Sequence, residues 1–93
     1  MIYAYVTMNI NDPKSLAAYG EKAGVALAKH GGALVSLARE TTSLEGNPTK
    51  QHVVALLSFT DKAAALSWRQ DPDLAHVHGL RESSGETAIL LLG

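Results

Sequence analysis

The sequence predicts an α+β domain whose elements run β-α-β-β-α-β, and three observations lead there. Residues 2–10 and 51–59 carry the period-two and near-continuous apolar patterns of strands. Asp12-Pro13 and Asp71-Pro72 each place a capping acid before a proline, the chemistry of a helix start. Gly31-Gly32 and Gly46-Asn47-Pro48 punctuate the chain where a helix must stop and a turn must form.

In residues 2–10, Ile2, Ala4, Val6, Met8 and Ile10 alternate with Tyr3, Tyr5, Thr7 and Asn9. The first set is wholly apolar, and the second, with two tyrosines, is no ordinary solvent face. Asp12 caps a helix that Pro13 opens and that runs to about His30. Its inner stripe is Leu16, Gly20, Ala23 and Leu27, so small that the helix is expected to lie close to a sheet. Residues 33–45 read as a long second strand. In 51–59, Val53, Ala55, Leu57 and Phe59 point one way and His52, Val54, Leu56 and Ser58 the other. Thr60 is the expected cap of a helix over 61–70. Asp71-Pro72 breaks it and restarts a short helix that ends near 83–85. Residues 86–92 form the last strand, Thr87, Ile89 and Leu91 opposing Ala88, Leu90 and Leu92.

This order is the split βαβ, ferredoxin-like plan: a four-stranded antiparallel sheet with helices on one face. The other face normally meets water and reads polar. Here the first, third and last strands are apolar or aromatic on both faces. The chain has 93 residues, 46% hydrophobic and only 18% charged, below the usual quarter. One domain accounts for the whole length. No segment is left to cover the second face, so the expected cover is a second copy, sheet against sheet. Burying a few hundred Å² at roughly 25 cal/mol per Å² favours such a pair by several kcal/mol before the cost of association.

Composition also excludes functions. A net charge of −1 with scattered Lys and Arg offers no basic stripe for nucleic acid. The paired Tyr3 and Tyr5 lack the basic aromatic pattern of an RNA-recognition sheet. No cysteine is present, so there is no thiolate nucleophile and no zinc–thiolate site. The longest apolar runs, Val53–Leu57 and Ala88–Leu92, are five residues each, far below the about 20 of a membrane span. No basic residue precedes Lys14, so the start does not read as a signal peptide. The expected setting is cytoplasmic.

The best candidates for chemistry lie between Trp68 and Arg81. Leu74, His78 and Arg81 fall at i, i+4 and i+7, one helical stripe, with Trp68 just before the break. They are placed to line a helix–sheet pocket: Trp68 to stack on a planar group, Arg81 to hold a carboxylate, His78 to move a proton near neutral pH. In the competing structural reading, Trp68 is the core aromatic, Arg81 pairs with an acid and His78 is half-exposed. His76-x-His78 is not a metal pair, because residues two apart on a helix face different directions. Asp73 and His76 have the right spacing, but two ligands make a poor site. The expected function needs no metal and no cofactor: binding, with or without turnover, of a small apolar or acidic molecule. The alternative is a non-catalytic dimeric structural domain with a filled core.

The chain also resembles a known family, the domain of unknown function family 1330 within the dimeric α+β barrel superfamily. The resemblance spans nearly the whole chain. It rests on the Tyr3 strand, Asp12-Pro13 leading to Tyr19, Gly31-Gly32, Leu44-Glu45-Gly46, the strand ending in Phe59, Ala65-Leu66-Ser67-Trp68, Asp71-Pro72-Asp73-Leu74, Leu80-Arg81-Glu82 and the closing apolar strand. Leu74 stands where the family often has an aromatic residue. Ala33 and Leu37 occupy a stretch where it often has a basic one. The resemblance implies the fold and a homodimer, and no settled reaction. Wider relatives include cofactor-independent and haem-degrading monooxygenases, which use an Asn on the first strand, a Trp on the second helix and a His soon after. Asn9, Trp68 and His78 (or His76) occur here in that order, which makes an oxygenase a further alternative and Asn9 a ligand-binding candidate.

Overall fold

A computed structural model describes residues 1–93. β1 (Ile2–Ile10) leads to α1 (Pro13–Lys29), capped by Asp12, whose side chain accepts the Ser15 N–H at 3.3 Å. α1 stops at His30 because Gly31 turns into the left-handed region at φ 70°, which glycine enters without a Cβ penalty. β2 (Ala33–Ala38) and β3 (Val53–Phe59) follow. α2 (Lys62–Gln70) ends at Asp71-Pro72, where Asp71 caps a 3₁₀ turn (Pro72–Leu74) that runs into α3 (Ala75–Ser83). β4 (Gly85–Leu92) closes the chain. Gly85 lies so tight on the Asn9 backbone that a side chain there would collide with the Asn9 carbonyl.

The four strands form one antiparallel sheet in the order β2-β3-β1-β4. All the helices pack on one face. That face supplies Ala4, Val6 and Met8 from β1 and Val53, Ala55, Leu57 and Phe59 from β3, and the helices add Ala26, Leu27, Ala65, Trp68, Leu74 and Val77 to complete the core. The Cα envelope measures 37 × 31 × 16 Å, a slab of one helix layer on one sheet.

The opposite face is bare. It carries Tyr3, Tyr5, Thr7 and Asn9, with Leu90 opposite Tyr5 and Leu92 opposite Tyr3. Tyr5 is 41% exposed and Leu90 64% exposed. The strand alternation thus puts a second apolar surface where the sequence demands one, on the side without helices.

Three local expectations need correction. The second strand is six residues long rather than reaching residue 45, and its pairing with β3 ends at Ala38↔Val54. Residues 39–45 offer Thr41 and Thr42 but no apolar alternation to bury, and a bulge between Leu34 and Ser36 has already bent the strand. The cap of α2 is Asp61 rather than Thr60, its Oδ1 accepting the Ala64 N–H at 2.8 Å. Finally, α1 does not close on the sheet along its small stripe. A Cβ built on Gly20 or Gly24 meets nothing within 4 Å.

Candidate functional site

Trp68, His78 and Arg81 converge into one buried knot. The stripe Leu74-Val77-His78-Arg81 is the buried face of the 3₁₀ turn and α3, and Ala65 and Trp68 are the buried face of α2. The Trp68 ring tilts against Phe59, centroids 5.5 Å apart, and meets the His78 ring edge-on at 4.7 Å. Leu74 is buried in the core as well. It borders a shallow basin between α1 and α3, away from the His78 ring.

His78 is 2% exposed rather than half-exposed, and both of its ring nitrogens are engaged. Arg81 Nη1 lies 2.9 Å from Nδ1, and a guanidinium only donates, so Nδ1 is the acceptor. Nε2 therefore carries the hydrogen and donates to the Trp68 carbonyl oxygen at 3.0 Å. Burial pushes the imidazole below its ordinary value, the Trp68 carbonyl partly offsets this, and the Arg81 charge depresses it further. In this arrangement His78 is neutral, and neither nitrogen is free to take a proton from a ligand.

Arg81 is 2% exposed and has no acid against it. The ion pairs of the molecule join Lys29 and His30 to Asp71, Lys29 to Asp73, and Arg69 to Glu82. Arg81 instead sits between aromatic rings, its Cζ 5.6 Å from the Tyr19 centroid and 5.5 Å from the Trp68 centroid. Cation–π contact is worth about 2 kcal/mol when desolvated, against a penalty of several kcal/mol for a buried ion. Its remaining hydrogen bond, to the Tyr19 hydroxyl, is 3.5 Å, at the limit of such contacts. Arg81 Nε and Trp68 Nε1 are buried with no partner at all.

The space with the most hydrophobic lining residues lies elsewhere, beneath α1. A cavity of about 600 Å³ opens between α1, β3 and the β2 edge, and 12 of its 16 lining residues are hydrophobic. Its roof holds Gly20, Ala23 and Gly24, and its floor Val6, Ala55 and Leu57. Arg39 is the one charged residue on its lining. Tyr19 belongs to both features: its ring contributes to the cavity wall, and its hydroxyl touches Arg81. Neither Tyr19 nor Arg39 stands out as a site residue in the sequence, and the small α1 stripe that signals the cavity reads equally well as close packing.

Asn9 is not part of either feature. It lies on the bare sheet face, while Trp68 and His78 lie on the helix side, so the sheet separates Asn9 from the other two. Its Oδ1 accepts the His52 N–H at 3.4 Å, and His52 Nδ1 accepts the Ile10 N–H at 2.8 Å, a clasp that extends the β1–β3 pairing past its last residue pair. His76 is exposed while His78 is buried, and no group of three His, Asp or Glu side chains gathers to hold a metal. No helix is long and apolar enough to cross a membrane.

A second polar cluster, outside the knot, is a clamp. Asp71 Oδ2 takes Lys29 Nζ at 2.7 Å and His30 Nε2 at 2.8 Å, tying the end of α1 to the break between α2 and α3. The Lys29 hydrogen bond is the main reason the Asp71 carboxyl is held well below the usual carboxylate range, with His30 and the Asp73 N–H adding to it.

Comparison with known proteins agrees with this architecture. The fold is shared with a protein of unknown function from Rhodopseudomonas palustris, at 18% identity and a TM-score of 0.77 over 98% of this chain and 79% of that one. It is also shared with a dimeric ferredoxin-like protein of unknown function from Jannaschia sp. (18% identity, TM-score 0.67, 99% and 97% of the two chains). An uncharacterised NIPSNAP domain protein from Burkholderia xenovorans is similar as well (14% identity, TM-score 0.66, 100% and 93%). No curated protein matches the chain in sequence. The profile of the domain of unknown function DUF1330 matches residues 1–93, from first to last, and with its ferredoxin-like α+β sheet this chain belongs to that family.

Proposed function

We propose that the protein is a homodimer, paired through its bare sheet faces, in which each copy binds a small, largely apolar molecule in the cavity beneath α1. The observation that carries this reading is the cavity itself. Its volume of about 600 Å³ falls within the range of roughly 300–1,000 Å³ usual for small-molecule sites, and its wall is mainly Leu, Val, Ala and Gly. The dimer is supported by the exposed row Tyr3, Tyr5, Leu90 and Leu92, a contiguous apolar surface of the kind that marks an interface. The similar Jannaschia protein is described as dimeric. Binding without turnover is favoured by His78, whose ring nitrogens are both occupied.

Titration with the neutral fluorescent probe N-phenyl-1-naphthylamine tests the cavity. The expected result is saturable binding to the wild type that is lost in Ala23→Trp, which fills the space, with circular dichroism unchanged. Absence of binding, or equal binding to the filled variant, rejects the reading. Sedimentation at micromolar concentration tests the dimer: a species of 9.8 kDa refutes it. The paired substitution Tyr5→Lys with Leu90→Lys is expected to convert the dimer to that monomer.

A further inference from the structure

The knot around Arg81 has acceptors in His78 Nδ1, the Tyr19 hydroxyl and the Trp68 carbonyl, all of them engaged, but no anionic group. Arg81 and His78 are each 2% exposed and Trp68 is 3% exposed. Both hydrogen bonds of the guanidinium leave from Nη1. Its other edge, Nε with Nη2, makes none, and Nε is sealed from solvent. That edge presents two parallel N–H groups, the geometry that grips a carboxylate through both oxygens. Trp68 Nε1, a donor that cannot accept, is also buried without a partner, and its ring is 5.5 Å from the Arg81 carbon. The two buried groups left without a partner, Arg81 Nε and Trp68 Nε1, are thus both donors, and an anionic oxygen answers a donor. No acid of the chain supplies one, since all recorded ion pairs go elsewhere.

We propose that the missing partner is the carboxylate of an amphipathic acid whose hydrocarbon part fills the cavity beneath α1, with Arg81 as its receptor and Tyr19 as the side chain that yields to admit it. This deepens the cavity reading above and rests on it. Three facts join the two features. Tyr19 is common to both, and it is held to Arg81 only by a 3.5 Å contact at Nη1, so the side chain between the cavity and the guanidinium moves at little cost. The roof beside Tyr19 is open, because a Cβ on Gly20 would meet nothing within 4 Å. The cavity lining contains no carboxylate, and its one charge, Arg39, is positive and makes no ion pair, so the potential along the entry path favours an anion. A neutral apolar ligand would use the cavity and leave the three donors unanswered.

The test compares octanoate with octanol, two probes of equal chain length, by isothermal titration calorimetry on the full chain. The wild type is expected to bind octanoate at least about tenfold more tightly than octanol, the gain ordinarily given by a charged hydrogen-bonded pair. Arg81→Met is expected to abolish that preference while still binding octanol, and Arg39→Met to keep most of it. Equal affinity of the wild type for the two probes overturns the inference and leaves the cavity reading standing. Binding of neither probe overturns both. A preference that survives Arg81→Met, or that disappears only in Arg39→Met, moves the anion site to the cavity mouth and overturns the assignment to Arg81. Should Arg81→Met not fold, nitrogen-15 NMR of the wild type decides: octanoate, and not octanol, is expected to shift the Arg81 Nε–H resonance, and an unmoved resonance refutes the proposal.

Discussion

The two halves of the helix–sheet interface are built on opposite principles. Under α2 and α3, Trp68, Leu74 and Val77 meet Phe59 and fill the space, with His78 and Arg81 buried among them. Under α1, the facing residues are Gly20, Ala23 and Gly24, and a cavity of about 600 Å³ takes the place of side chains. The sheet beneath is mostly Ala, Val and Leu, with Met8 on β1 and Phe59 at the end of β3 under Trp68. What differs most is the size of the residues the helices lower onto it, with Phe59 adding bulk from the sheet on the filled side. Stability is therefore concentrated at the α2–α3 side, and the α1 side is left with room for a ligand.

Truncating the filled half should give the largest effect. Trp68→Ala removes the ring that touches Phe59, His78 and Arg81 together and is expected to cost about 3–5 kcal/mol. For a domain of this size that is a large fraction of the total, so urea denaturation should show a population already partly unfolded in water. A loss below about 1 kcal/mol would mean that the knot is not the mechanical centre of the fold.

The empty half should respond in the opposite direction. Gly24→Ala adds a methyl group where nothing lies within 4 Å and removes a glycine from mid-helix. It is expected to stabilise by up to about 1 kcal/mol, read as a raised urea midpoint with an unchanged slope. Destabilisation by this variant would show that α1 rests on the sheet more closely than the geometry indicates.

A smaller effect comes from protons. His78 has a folded-state pKa below its ordinary imidazole value, so the unfolded chain binds a proton there first as the pH falls. The associated stability is fully present above about pH 6.5 and is lost as the pH drops from there towards the folded-state value. The melting temperature of the wild type should fall between pH 8 and pH 5 by more than that of His78→Gln. Parallel curves for the two proteins would remove His78 from the pH response. Asp71 acts in a different range: its depressed pKa contributes stability above about pH 4, which is lost in stronger acid.

The contrast between the halves also explains what the sequence discloses. The order and type of the elements are legible because strand alternation and proline–acid helix starts are local signals. The knot is legible in part, because Leu74, His78 and Arg81 recur at helical spacing. That Arg81 has no acid is not legible, since ion pairs across elements depend on which helix faces which. The cavity is the least legible feature. A stripe such as Gly20-Ala23-Gly24 admits a sheet if the helix sits low and leaves a void if it sits high. That height is set elsewhere, by Tyr19 and Leu27 on α1 and by the Asp71 clamp at its end. The second strand stops short of residue 45 because the residues after Ala38, Thr41 and Thr42 among them, have strand propensity but no partner to pair with.

The place of β4 has a consequence for how the chain is made. β1 precedes the rest of the domain in the chain, yet it lies inside the sheet and receives its second neighbour only from β4, residues 85–92. Until β4 is available one edge of β1 stays unpaired beside an unfinished core, an aggregation-prone state that a nascent chain occupies until residues 85–92 emerge. Folding of this domain is thus gated by the pairing of its two most distant strands and slow for the length of the domain.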